Sequence, residues 1–196
     1  MLINSNIRLF HLTAYQNFYF HAMKAIFPSL FIALLSVSSF AQDKIQWMTW
    51  NEAVEKNAVE QKVIFVDVYT DWCGWCKKMD ATTFKNEKVV DYMNEHYYAV
   101  KFNAETHDTI RFNNQEFINE SNTKKGPHQL AVALLDGRMS YPSYAFIGQP
   151  WDKTVAPGYM GAKDFQCVIK YFVEGAPQGQ TFDQFKIEGC PVAAAD

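Results

Sequence analysis

Val63-Ile64-Phe65-Val66-Asp67-Val68-Tyr69 runs directly into Thr70-Asp71-Trp72-Cys73-Gly74-Trp75-Cys76-Lys77. The first seven residues are β-branched or aromatic with one acid among them. That composition predicts a strand buried on both faces, as in a sheet covered by helices. The next eight make a turn that opens a helix. At a helix start, residues three apart are neighbours, with Cβ atoms about 5–6 Å apart. A disulfide needs Cα atoms roughly 4.4–6.8 Å apart, so Cys73 and Cys76 can close and open a bridge with little backbone movement. Cys73 also lies where unpaired amides and the helix dipole favour negative charge, which lowers a thiol's pKa. Lys77 and Lys78 add positive charge nearby.

Roles follow from position. Cys73, at the helix tip, attacks a substrate disulfide, and Cys76, one turn deeper, resolves the mixed disulfide and releases the reduced substrate. Asp67 is the third candidate. An acid in an apolar strand is costly unless paired, and burial raises its pKa, so it can take a proton from Cys76. The alternative is a hydrogen-bonded aspartate with no part in the chemistry. The cysteine pair has two other readings. A closed zinc site needs four ligands, but the chain has no second C-x-x-C. Cys167, Cys190 and the five histidines also lack ligand spacing, so no metal is expected. A permanent structural bridge is disfavoured because so short a loop constrains the unfolded chain little.

Outward from this segment, Thr49 to Lys62 has apolar residues at helical spacing, with Thr49 or Asn51 as the cap. Cys76 to His96 reads as helix, interrupted or bent at Thr82-Thr83, and Tyr97 to Asn103 alternates as a second strand. Asp108 to Asn119 is expected to be helical and Ser121 to Pro127 a polar loop. His128 to Leu135 is expected to be a short helix ended by Asp136-Gly137. Tyr144 to Ile147 is a strand, and Thr154 to Pro157 a weak edge strand. Gly161 to Val173 carries Phe165, Val168, Ile169 and Phe172 on one helical face. This order describes an α/β domain, a central mixed sheet flanked by helices.

Before the domain, Lys24, the apolar run from Ala25 to Val37 and Ser39-Phe40-Ala41 have the order of a secretory signal peptide, cut after Ala41. The run is short for a spanning helix, which usually needs about 20 apolar residues. Met23 would be a more natural start than Met1. The expected organisation is therefore a signal at 1–41, one domain at 42–175 and a tail at 176–196. The protein is expected to be periplasmic or otherwise exported. The net charge is −3 and no Lys/Arg-rich run is present, so nucleic acid is not an expected partner.

The segment Val66 to Lys77 resembles the active-site stretch of the thioredoxin superfamily, V-D-F-W-A-x-W-C-G-P-C-K, and the CGWC wording is similar to exported bacterial members. Tyr141-Pro142-Ser143 before an apolar strand resembles the family's cis-proline turn, and Gly158-Tyr159-Met160-Gly161 its closing turn. The resemblance implies a thioredoxin-like fold with Pro142 in cis beside the cysteines. Trp72, Gly74, Trp75, Tyr141 and Pro142 would then line the substrate site, Tyr141 mostly through its main chain. Trp72 packing on the sheet is the alternative for that residue. Trp75 replaces the family's proline, and Glu105 to Met139 is longer than thioredoxin needs. That segment is expected to hold an added helix and loop before the proline turn.

Cys167 and Cys190 could form a structural bridge that pins the tail in an oxidising compartment, or remain apart. The expected activity is reduction of protein disulfides by a monomer, with no cofactor beyond the redox pair and a membrane-linked electron donor. Disulfide formation or isomerisation, and a non-catalytic protein-binding module, are the competing readings.

Overall fold

The computed structural model describes residues 44–188 and Cys190. The expected signal peptide, its cut after Ala41 and the Met23 start lie outside the described residues.

Five strands form the main sheet: β1 (Trp47–Met48), β2 (Val63–Tyr69), β3 (Tyr97–Asn103), β6 (Ser143–Ile147) and β7 (Lys153–Pro157). Their order across the sheet is β1-β3-β2-β6-β7. β1, β3 and β2 run parallel, and β6 and β7 are each antiparallel to the strand before them in that order. β2 is therefore the central strand, and its alternation divides the core in two. Ile64, Val66 and Val68 join Trp50, Ala53, Leu130 and Leu134 on one face. Phe65 joins Met79, Phe84, Met93, Phe146 and Phe165 on the other. Fully burying each Val, Leu, Ile, Phe or Met among them stabilises the fold by roughly 1.5–3 kcal/mol. The sheet is mixed and flanked by helices, as the sequence predicts.

Four of the α-helices among the described residues begin where side chains satisfy free amides. In α1 (Trp50–Val59) Thr49 and Glu52 close a capping box, the Thr49 N–H donating to Glu52 at 2.7 Å. α2 (Gly74–Ala81) is capped by Cys73. Of the expected interruption or bend at Thr82-Thr83, the structure shows the interruption. Thr82 Oγ1 donates to the Lys78 carbonyl at 2.7 Å, a one-turn 3₁₀ segment follows at Thr83–Lys85, and α3 (Glu87–His96) restarts under Asn86.

One expected element is wrong. Asp108 to Asn119 is not helical but a hairpin, β4 (Ile110–Phe112) against β5 (Gln115–Phe117), forming its own two-stranded sheet. The turn residues Asn113 and Asn114 have φ of 51° and 61°. This is the double left-handed conformation of a tight hairpin turn, which asparagine tolerates. Arg111 reaches Glu116 across the pair at 2.7 Å. The short helix is present as α4 (Gln129–Leu134), and His128 Nδ1 accepts its Leu130 N–H at 3.0 Å.

α5 (Ala162–Lys170) continues into a wide π turn at Tyr171–Gly175, and a further helix, α6 (Phe182–Glu188), lies in the segment read as a tail. Phe185 of α6 is buried against Tyr171. A Cβ on Gly175 would come within 2.6 Å of the Phe185 ring, so the close approach requires glycine. Cys167 on α5 is bonded to Cys190, with Cα atoms 5.5 Å apart. No helix among the described residues is long and apolar enough to cross a membrane.

Candidate active site

β2, the central strand, delivers the chain to the turn at Thr70. The Cys73 N–H donates to the Thr70 carbonyl at 3.1 Å and the Lys77 N–H to the Cys73 carbonyl at 3.2 Å, so the turn and the first helical turn share one backbone frame. Cys73 and Cys76 form a disulfide, with Cα atoms 5.3 Å apart. Cys73 Sγ also accepts the Cys76 N–H at 3.0 Å. A helix-opening amide thus points at the sulfur on which negative charge would develop.

In β2, three residues before Thr70, the Asp67 side chain is 2% exposed. Burial pushes its carboxyl up to about 6 against the pull of Lys101, whose Nζ donates to Oδ2 at 2.9 Å. Lys101 also pairs with Asp80 of α2. Burial works against the Lys101 ammonium, but the two carboxylates outweigh it and its pKa is raised. Sequence reasoning missed Lys101 and Asp80. The available signal was alternation along β3, which sets Lys101 on the face of Tyr97 and Ala99, and in register Lys101 stands beside Asp67. Asp67 Oδ1, Thr70 Oγ1 and the Tyr144 hydroxyl are buried without a hydrogen-bond partner among the described residues. Tyr144 is the cross-strand neighbour of Asp67.

In front, two aromatic pairs flank the turn. Trp72, 56% exposed, is not packed into the sheet. Its Nε1 donates to Glu105 at 2.9 Å, and its ring meets Tyr141 edge-on with centroids 5.8 Å apart. The Tyr141–Pro142 bond is cis, so the proline turn stands beside the redox turn. The Pro142 carbonyl accepts the Gly158 N–H at 2.8 Å, which ties in the closing turn. Trp75, 55% exposed, lies against Tyr159 at 5.2 Å, and Lys78 Nζ sits over both rings at 4.9 and 5.0 Å. Tyr159 is a surface contributor that the sequence reading left in a turn. Gly74, the first residue of α2, is exposed between the two tryptophans. The structure therefore gathers Trp72, Cys73, Gly74, Trp75, Cys76, Tyr141 and Pro142 around one turn, while Asp67 stands within β2 and is linked through Lys101 to Asp80 of α2. It sets Cys167 and Cys190 at the C-terminal end of the fold. Among the described residues no three His, Cys, Asp or Glu side chains group to hold a metal ion.

Known proteins share the fold. A chain titled "DsbH Oxidoreductase" superposes with a TM-score of 0.51 at 18% identity, covering 72% of this chain and 93% of its own. A thioredoxin from Thermus thermophilus superposes with the same score at 12% identity, covering 69% and 93%. At such identities the likeness is one of fold. In sequence, Spermatogenesis-associated protein 20 of Rattus norvegicus is 33% identical over 66 residues, 33% of this chain but only 8% of that protein's length. An uncharacterized protein of Archaeoglobus fulgidus is 30% identical over 87 residues, 42% of this chain and 68% of its own. The family model Thioredox_DsbH, described as "Protein of unknown function, DUF255", matches residues 35–162. That span takes in β2, the cysteine pair, the cis-proline turn and the closing turn, and the chain belongs to this thioredoxin-superfamily family.

Proposed function

We propose that this protein is an exported thiol–disulfide oxidoreductase that reduces protein disulfides through Cys73 and Cys76. The observation that carries the reading is the position of Cys73. It caps α2 with its sulfur bonded to Cys76 and facing the Cys76 N–H, and the cis-proline turn stands beside it. In the dithiol form, Cys73 thiolate attacks one sulfur of a substrate disulfide. The substrate's S–S bond breaks, and its second sulfur leaves with the electron pair and takes a proton. Cys76, losing its proton to Asp67, then attacks Cys73, and the remaining substrate sulfur leaves as the second thiol. Two electrons pass to the substrate and the Cys73–Cys76 bridge is formed. The pair itself stores the electrons, so no bound cofactor is needed.

Trp72, Trp75 and the main chain at Tyr141 would hold an extended stretch of the substrate. Their exposed rings suit such a contact, aromatic residues being enriched in recognition surfaces. Export is supported by the order of residues 24–41, and renewed reduction outside the cytoplasm then requires a membrane-linked donor. The protein is proposed to act as a monomer.

The deciding measurements are turbidimetric insulin reduction and the equilibrium potential of the Cys73–Cys76 pair. Cys73→Ser is expected to abolish insulin reduction. A potential near or below about −270 mV supports a reductase, and one towards about −120 mV reverses the direction to disulfide formation. Cellular function that survives serine at both cysteines would instead point to a binding module.

A further inference from the structure

One ammonium serves two carboxylates beneath the redox turn. Lys101 Nζ donates to Asp67 Oδ2 at 2.9 Å and to Asp80 Oδ1. The rings of Trp47, Tyr69 and Phe84 surround it at 4.9, 5.2 and 5.4 Å. The acids differ in setting: the Asp67 side chain is 2% exposed and Asp80 is 41% exposed. A buried carboxylate normally has its lone pairs satisfied. Asp67 instead shares its cation and keeps Oδ1 without a partner among the described residues.

We propose that Asp80 is a positioning residue for the second half of the exchange. By dividing Lys101 between two carboxylates, it leaves Asp67 incompletely compensated and so able to accept the proton of Cys76. The inference deepens the functional reading above and rests on it. Asp67 takes the Sγ–H proton of Cys76, and the Cys76 sulfur pair forms the bond to Cys73. The Cys73–substrate bond breaks, the substrate sulfur leaves with that electron pair, and it is protonated from solvent. Asp67 later returns its proton to solvent.

Asp80 acts on Asp67 in two ways of the same sign. Its negative charge disfavours a second charge nearby, and its claim on Lys101 weakens the opposing pull. Both add to burial, the largest cause of the raised Asp67 pKa. The other titratable groups facing Asp67 are Tyr69 on its own strand and Tyr144 on β6, and burial raises both above the ordinary tyrosine range. Neither supplies a charge that would substitute for Asp80.

The test is the carboxyl ¹³C titration of Asp67 in the oxidised full-length protein, its resonance assigned with Asp67→Asn. Asp80→Asn is expected to lower the Asp67 midpoint by about one unit, and Asp80→Glu to return it towards the wild-type value. A midpoint unmoved by Asp80→Asn, or lowered equally by Asp80→Glu, overturns the proposal. A merely structural Asp80 would change unfolding without moving this titration. The measurement needs no substrate, so its result is independent of what insulin reduction says about the functional reading.

Discussion

Burial and Lys101 pull the Asp67 carboxyl in opposite directions, and burial prevails. The folded protein therefore binds this proton more tightly than an unfolded chain, where Asp titrates near about 3.9. Stability present below about pH 4 is lost as pH rises through about 6, the reverse of an ordinary salt-bridged carboxylate. Asp67→Asn does not titrate, so it should gain on wild type across that window by an order of 2–3 kcal/mol. Urea unfolding at stepped pH measures the gap, and a gap that is flat with pH would contradict the raised carboxyl. At this scale the sequence was legible wherever a residue stood out locally. An acid among valines and two cysteines three apart declare themselves. Lys101 and Asp80 do not, since a lysine in an alternating strand and an acid beside helical lysines look like solvated positions. Only strand register and helix placement bring them to Asp67.

The elements that build the sheet were legible because burial writes a strong pattern, as in β2, β3 and β6. The inserted segment was not. Asp108 to Asn119 has few apolar residues, and its fold is decided by two asparagines in left-handed backbone and by hydrogen bonds to distant loops. Asn119 is the main tie. Its Nδ2 donates to the carbonyls of Thr106 at 3.1 Å and Gly126 at 2.8 Å, and its Oδ1 accepts the Ser121 N–H at 3.0 Å. His128 adds a second tie, its Nε2 lying 2.9 Å from the Asp108 carbonyl. Asn119→Ala leaves several partly buried polar groups without partners. It should cost about 2 kcal/mol and speed amide exchange in β4 and β5 while sparing β2 and β3. Equal acceleration throughout would mean that the insert and the sheet open as one unit. Because Glu105 begins this segment and holds Trp72, loosening it also reaches the front of the redox turn.

Across the whole molecule, the Cys167–Cys190 bridge closes the last part of the fold over α6. In the chain-entropy view a loop of this length adds about 3 kcal/mol. Cys190→Ser should therefore lower the unfolding free energy by that order, measured by calorimetry with the Cys73–Cys76 pair kept oxidised in both proteins. An unchanged transition would show that Phe185 packing alone secures the end of the chain. The bridge has a further consequence. If the protein reduces disulfides as proposed, it hands electrons to partners through one cysteine pair while another pair stays empty of them, within the same small domain and the same surroundings. Under that reading, a donor has to deliver electrons to Cys73–Cys76 while Cys167–Cys190 stays oxidised. A donor that docked on the exposed rings of Trp72 and Trp75 would make that choice by surface, since those rings flank the Cys73–Cys76 turn.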